Sequence, residues 1–109
     1  MDKNKSLFKL KNIGKIYYLN LDGQPERKEY MEQQFDYWGI ENYTRISAYD
    51  GREDDLSDII KGRYPSDMTS GEIGCTTSHL NALKEFLKTD QPYAIIMEDD
   101  VDISIAKFW

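Results

Sequence analysis

Cysteine and histidine are nearly absent from this chain of 109 residues, which has only Cys75 and His79. One cysteine cannot form an internal disulfide, and these two residues alone cannot build a Cys/His zinc site. We expect Cys75 to be a small buried packing residue and His79 to pack within a helix. Ser78, beside His79, has no recognisable base and acid partners, so nucleophilic catalysis is not expected.

Basic residues and long apolar runs are also scarce. Lys and Arg number 14 against 20 Asp and Glu, giving a net charge of −6, whereas nucleic-acid binding normally needs a basic face. No apolar run approaches the roughly 20 residues of a membrane span, so we expect no transmembrane segment. Residues 1–14 are a lysine-rich lead-in without the apolar stretch of a secretory signal. We therefore expect a cytoplasmic protein, whose lead-in lysines allow peripheral contact with an anionic membrane surface.

Strand and helix patterns alternate along the rest of the chain. They predict strands at residues 16–21, 43–48 and 93–97, and helices at residues 25–38, 54–61 and 70–88. Thr69 and Glu72 have the spacing of a capping box at the start of the last helix. That helix carries Ile73, Leu80, Leu83 and Leu87 on one side, as a packed face would. Such alternation is typical of an α/β fold with a parallel sheet and flanking helices.

The most informative pattern is a group of acids at the end of the last strand, Glu98-Asp99-Asp100, with Asp102 beyond. Neighbouring carboxylates make each other more costly to ionise, so a bound cation would offset the charge. Because side chains two apart share a face of an extended chain, we expect Glu98, Asp100 and Asp102 to converge on one ion. Oxygen ligands favour Mg²⁺ or Mn²⁺. A solvated turn is the alternative.

Polar residues also follow the first two predicted strands. Asn20 and Asp22 precede a helix that carries Arg27 in its first turn, and helix N-termini bind phosphates readily. Capping with a surface arginine is the alternative there. Asp50 and Gly51 follow the second strand, where a carboxylate can hold ribose hydroxyls; a plain turn is the alternative. Ligands of open α/β sheets bind at the carboxyl ends of the strands, so these residues are candidates for one site.

Taken together, these segments resemble glycosyltransferase family 25, the lipopolysaccharide-biosynthesis and collagen-galactosyltransferase group. The matching segments are residues 16–22, Arg27, residues 45–51, residues 71–79 and residues 96–101. Two of these motifs are specific to the family. The first is Gly71-Glu-Ile-Gly-Cys with the Ser-His that follows it, and the second is Glu98-Asp-Asp-Val. The resemblance covers residues 16–102.

The resemblance implies a GT-A-like, Rossmann-type sheet that binds a nucleotide sugar together with Mn²⁺ or Mg²⁺. Asp100 would ligate the metal with Asp102 beside it, and Glu98 and Asp99 would contact ribose or sugar. The remaining residues that it places in or near the nucleotide pocket are Asn20, Asp22, Arg27, Asp50, Gly51, Ser78 and His79.

The function so implied is transfer of a hexose such as galactose from a UDP-sugar to a saccharide or lipopolysaccharide acceptor. Because such domains are larger, residues 15–109 are expected to be the N-terminal part of a GT-A-like domain, with the acceptor half and the general base elsewhere. A non-catalytic nucleotide-sugar-binding or self-associating module is the first alternative, and metal-dependent phosphoryl transfer is the second. An unpaired sheet edge would favour a homodimer.

Overall fold

A parallel sheet of three strands lies at the centre of the computed structural model, which describes residues 14–60, 62 and 64–103. The strands are β1 (Lys15–Asn20), β2 (Tyr43–Ser47) and β3 (Ala94–Glu98), in the order β2-β1-β3. The helices are α1 (Pro25–Trp38), α2 (Ser57–Ile60) and α3 (Ser70–Leu87). The predicted α/β class is confirmed. The lead-in up to residue 13 lies outside the described residues.

Strand β1 is the buried centre of this sheet. Ile16 and Tyr18 face one side and pack with α1, whereas Tyr17 and Leu19 face the other side and pack with α3. All four side chains are at most 5% exposed. The nearly continuous apolar sequence of β1 is therefore explained by helices that cover both faces of the sheet.

Helix α1 has the bounds that the sequence predicts. Pro25 occupies its first turn, where the missing N–H costs nothing. Met31, Phe35 and Trp38 form the buried stripe. Gly39 follows in the left-handed conformation with φ 71°, and its N–H bonds the last turn, so the helix ends there.

Helix α3 packs on the sheet with a different side from the one expected. Leu80, Leu83 and Leu87 are exposed, Leu87 by 78%. The buried side consists of small residues: Gly74, Thr77, Ser78 and Ala82. Small side chains let the helix backbone approach the sheet closely, so close packing rather than apolar bulk determines which side is buried.

The other element bounds differ from the predictions by a few residues. Helix α2 begins at Ser57 rather than residue 54, because the Asp55 carboxylate accepts hydrogen bonds from the Ser57 N–H and hydroxyl. These bonds also lower the pKa of Asp55 and fix a turn ahead of the helix. Among the described residues, no helix is both long and apolar enough to cross a membrane.

The segments that follow the three strands lie at the same end of the sheet. The chain passes from β1 to β2 on one side and later places β3 on the other side of β1. Because the three strands are parallel, the segments that follow them all leave from the carboxyl end of the sheet, which is where open α/β sheets bind ligands.

Candidate functional site

A cleft of about 350 Å³ opens at the carboxyl ends of the three strands. Its walls come from the loops after β1 and β2, the first turns of α3 and the end of β3. Six of the residues singled out in the sequence line it: Arg27, Asp50, Gly51, Ser78, Glu98 and Asp99. Asn20, Asp22, His79, Asp100 and Asp102 are not among the lining residues.

Asp99 is the buried acid of the cleft, only 8% exposed. Its Oδ2 accepts a hydrogen bond from Asn20 Nδ2 at 2.9 Å, and its Oδ1 lies 3.4 Å from Arg27 Nη1. The Arg27 side chain is 56% exposed. Asp99 thus holds an arginine at the cleft wall while more than half of the arginine side chain stays exposed.

Asn20 and Asp22 support the cleft from beside it. Asn20 is 1% exposed, donates from Nδ2 to Asp99 and to the Gln24 carbonyl, and accepts from Arg45 Nε at 2.8 Å. Arg45 Nη2 also donates to Asp22 Oδ1 at 2.6 Å. This bond, with a second from the Ser47 hydroxyl, lowers the pKa of Asp22.

The structure does not bring Glu98, Asp100 and Asp102 together. Strand β3 ends at Glu98 and the chain turns at residues 99 and 100, so the alternation of an extended strand stops there. All three residues are exposed. Residues 14–60, 62 and 64–103 contain no group of three or more His, Cys, Asp or Glu side chains placed to hold a metal ion.

Two carboxylates nevertheless remain available beside the buried Asp99. Asp100 makes no hydrogen bond or ion pair with another described residue, and Glu98 accepts only a long contact, 3.5 Å, from the Cys75 thiol. Mg²⁺ commonly binds through one or two carboxylates and keeps its other positions for water and phosphate oxygens. The donor set therefore fits a cation that is shared with a phosphate group, rather than one enclosed by protein ligands.

Two glycines let the loop after β2 lie directly on α3. A Cβ on Gly74 would lie 2.6 Å from the Gly51 nitrogen and 2.7 Å from the Tyr49 carbonyl oxygen. A Cβ on Gly51 would lie 1.7 Å from the Ser70 carbonyl oxygen. Ser78 also holds the loop against the helix, because its hydroxyl accepts a hydrogen bond from the Tyr49 N–H at 2.8 Å. This packing fixes the position of the loop at the cleft.

Asp50 forms a turn, which is one of the two roles that the sequence allows for it. Its Oδ1 accepts from the Arg52 N–H at 3.0 Å, and its own N–H donates to the Asp54 carboxylate at 2.7 Å. The residue still lines the cleft. Turn formation and ligand contact are therefore compatible at this position.

Helix α3 begins at the cleft. The Thr69 hydroxyl accepts from the Glu72 N–H at 3.1 Å, which confirms Thr69 as the helix cap. The Glu72 carboxylate accepts from the Thr69 hydroxyl rather than from the Thr69 N–H, so only one half of the expected capping box forms. Gly71, in the first turn, lines the cleft. A Cβ there would meet no atom within 4 Å, so the space in front of this turn is open. The positive end of the helix dipole thus lies near the cleft.

Cys75 is exposed and lines the cleft, so the expectation of a buried packing residue is wrong. It lies one turn beyond Gly71, on the side of α3 that faces the strand ends rather than the core. Partial burial of the thiol, together with the Glu98 carboxylate, raises the pKa of Cys75. His79 is half-buried, and its Nδ1 lies 2.9 Å from the Cys75 carbonyl oxygen within the helix.

Sequence reasoning missed several residues of the site. Tyr49, Arg52 and Cys75 line the cleft, and Arg45 anchors Asn20 beneath it. Arg45 and Tyr49 lie inside the segment 45–51 that carries the family resemblance, so that segment was the available signal. The contact between Arg45 and the end of β1 depends on strand pairing, which the sequence does not specify.

A protein-family model matches most of the chain. The family model described as Glycosyltransferase family 25 (LPS biosynthesis protein) matches residues 13–107. No solved structure was found to match the chain.

Curated relatives point to the same family. The chain is 32% identical over 101 residues to a "Glycosyltransferase 25 family member" of Drosophila melanogaster, an alignment that covers 83% of the chain and 16% of the relative. A protein of the same name from Aedes aegypti is 33% identical over 100 residues, covering 82% of the chain and 16% of the relative. The chain thus spans about a sixth of the length of these relatives.

Proposed function

The chain belongs to glycosyltransferase family 25, and from this premise we propose that residues 15–103 form the nucleotide-sugar-binding part of a GT-A-like glycosyltransferase. The observation that carries the proposal is the cleft at the strand ends, where the Arg27–Asp99 pair, the start of α3 and the exposed carboxylate of Asp100 lie in or beside one space. The proposed donor is a UDP-sugar. The proposed reaction transfers a hexose such as galactose to a saccharide or lipopolysaccharide acceptor.

The diphosphate of the donor is proposed to bind between Arg27 and the first turn of α3. Arg27 presents a partly exposed, positively charged side chain, and the helix presents N–H groups at its positive end. Gly71 leaves this approach open because it has no side chain. These groups supply the local positive potential that a protein of net charge −6 needs in order to bind a polyanion.

A divalent cation, Mn²⁺ or Mg²⁺, is proposed to enter with the diphosphate. Asp100 is the proposed protein ligand, with Asp102 and Glu98 as the neighbouring acids. When bound, the cation would act as a Lewis acid that stabilises negative charge on the departing nucleoside diphosphate. Asp99 has a different role in this proposal, because its oxygens are engaged by Asn20 and Arg27: it holds Arg27 in place.

The nucleoside is proposed to lie against the loop after β2. Asp50 would offer a carboxylate to the ribose hydroxyls, and the backbone of Gly51 lies beside it in the cleft wall. Tyr49 lines the same part of the cleft and offers an aromatic ring. Packing of this loop on α3 holds these groups in a defined position before the ligand binds.

Titration calorimetry with UDP, in the presence and absence of Mn²⁺, tests the proposal. We expect wild-type protein to bind UDP with an affinity that Mn²⁺ increases, and Asp100→Ala to lose that increase. Asp90→Ala is the matched control, because Asp90 is an exposed acid at the opposite end of β3. Wild-type protein that binds no UDP would contradict the proposed function. Unchanged Mn²⁺ dependence in Asp100→Ala would remove the metal assignment alone.

A non-catalytic nucleotide-sugar-binding module is the second candidate, because every cleft group named above is assigned to the donor and none to an acceptor hydroxyl. A panel of nucleotide sugars separates the two candidates. Thermal-shift stabilisation shows binding, and release of UDP in the presence of a saccharide acceptor shows transfer. Stabilisation without release in the isolated chain would favour the binding module.

A further inference from the structure

Arg45 connects the second strand to the buried polar groups beneath the cleft. Its Nε donates to Asn20 Oδ1 at 2.8 Å, and its Nη2 donates to the Asn20 carbonyl at 3.0 Å and to Asp22. The Arg45 side chain is only 25% exposed. It does not line the cleft itself.

These contacts determine which way the Asn20 amide is turned. A guanidinium has donors and no acceptor, so the group that meets Arg45 Nε must be the amide oxygen of Asn20. The amide nitrogen must then point the other way, where it meets two acceptors, the Gln24 carbonyl and Asp99 Oδ2. All partners agree on this orientation, and no buried side-chain polar atom among the described residues lacks a hydrogen bond.

We propose that Arg45 is a positioning residue for the nucleotide cleft: by holding the Asn20 amide it keeps an N–H directed at Asp99, which in turn holds Arg27 at the cleft wall. The chain of contacts is Arg45 to Asn20, Asn20 to Asp99, and Asp99 to Arg27. Arg45 thus acts on the ligand through three successive side chains. This inference rests on the proposed function, because it takes Arg27 as a diphosphate ligand.

Residue type matters at position 45. A glutamine there could present either its oxygen or its nitrogen, which would allow Asn20 to turn and face Asp99 with its oxygen. A methionine would remove the donors while filling similar space. A lysine would keep the charge and one donor without the planar fork, so it should preserve part of the effect.

The experiment measures UDP affinity by calorimetry with Mn²⁺ present, for Arg45→Met and Arg45→Lys, each made in the wild-type and in the Asp99→Ala protein. In the wild-type background we expect Arg45→Met to weaken binding about tenfold and Arg45→Lys by less, as for a lost hydrogen bond to a charged group. In the Asp99→Ala background the same substitutions should change affinity less than about twofold, because the groups act in series. Lys84→Met, on the exposed side of α3, is the control for loss of one positive charge.

Two results overturn the inference: an equal loss of affinity in both backgrounds, which indicates a general structural effect, or no loss in either. Failure of the proposed function is a separate outcome, seen as wild-type protein that does not bind UDP. In that case NMR of the Asn20 side-chain NH₂ group tests the positioning step directly. Its two proton signals should shift in Asp99→Ala and should also shift in Arg45→Met; signals unchanged by Arg45→Met contradict the inference.

Discussion

Asp99 and Asp100 are adjacent acids with different surroundings. Asp99 is buried and bonded to Asn20 and Arg27, whereas Asp100 is exposed and makes no bond to another described residue. The sequence shows that acids follow β3, but it cannot show where the strand ends. The chain turns directly after Glu98, so Asp99 and Asp100 do not simply point to opposite faces of a strand. One carboxylate is buried and the other is exposed.

Arg27 and Lys28 give a matched pair at the residue scale. Arg27 lines the cleft, and Lys28 lies on the exposed side of α1, paired with Glu32. We expect Arg27→Met to weaken UDP binding about tenfold, the loss of a charge-assisted contact, while uridine binding changes little. Lys28→Met should change neither affinity. Titration calorimetry with both ligands checks this; equal losses for UDP and uridine in Arg27→Met would contradict a phosphate contact.

Cys75 reports on the charge of Glu98. Burial of the thiol and the neighbouring carboxylate both raise the pKa of Cys75, so less thiolate is present at a given pH than for a free cysteine. Glu98→Gln removes the negative charge and should lower that pKa, giving faster alkylation by iodoacetamide near pH 8. Glu85→Gln, farther along α3, is the control. Alkylation rates that follow the same pH curve in wild type and Glu98→Gln would contradict the contact between these side chains.

At the scale of elements, α1 was predictable throughout and α3 only in part. A proline at the start, a buried stripe with helical spacing and a glycine at the end all indicate the same bounds for α1. In α3 the capping pair was recognised, yet the leucine side was expected to pack. Sequence periodicity measures where apolar bulk lies, and it does not detect a helix that packs closely on the sheet through Ala82 and on the loop after β2 through Gly74.

Two glycines of α3 give a second matched pair. Gly74→Ala should destabilise the protein by about 1–3 kcal/mol, as overpacking does, because the added Cβ meets the backbone of residues 49 and 51. Gly71→Ala should alter stability by less than about 0.5 kcal/mol, as for an uncrowded surface position. Urea unfolding of both variants measures the difference. Equal stability of the two variants would show that the loop does not lie against α3.

For the whole molecule, the sequence predicts the class of fold and the position of the cleft at the carboxyl ends of the strands. It does not predict the hydrogen bonds between the side chains at those strand ends. Alternating strands and helices imply a parallel sheet, and a parallel sheet places the segments after its strands together. Six residues singled out in the sequence do line one cleft. Asn20 and Asp22 instead bond to Arg45, because β1 pairs with β2 in a register that only the structure gives.

The described sheet has two outer strands, β2 and β3, and outer strands carry unpaired backbone groups. We expect the isolated chain to self-associate, with a weight-average mass that rises with concentration in sedimentation experiments. Thr44→Lys places a charge on the exposed part of β2 and should reduce association if that edge is used. Association unaffected by Thr44→Lys would exclude β2 as the contact. A monodisperse monomer at all concentrations contradicts the expectation.

The central claim is that a nucleoside diphosphate binds at the carboxyl ends of these strands, and NMR titration of the ¹⁵N-labelled chain with UDP and Mg²⁺ tests it most directly. We expect the backbone amide signals of residues 48–52, 71–75 and 98–100 to shift. The signals of residues 89–93, which lie at the amino end of β3, should keep their chemical shifts. No shifts at saturating UDP, or shifts centred on residues 89–93, would contradict the account.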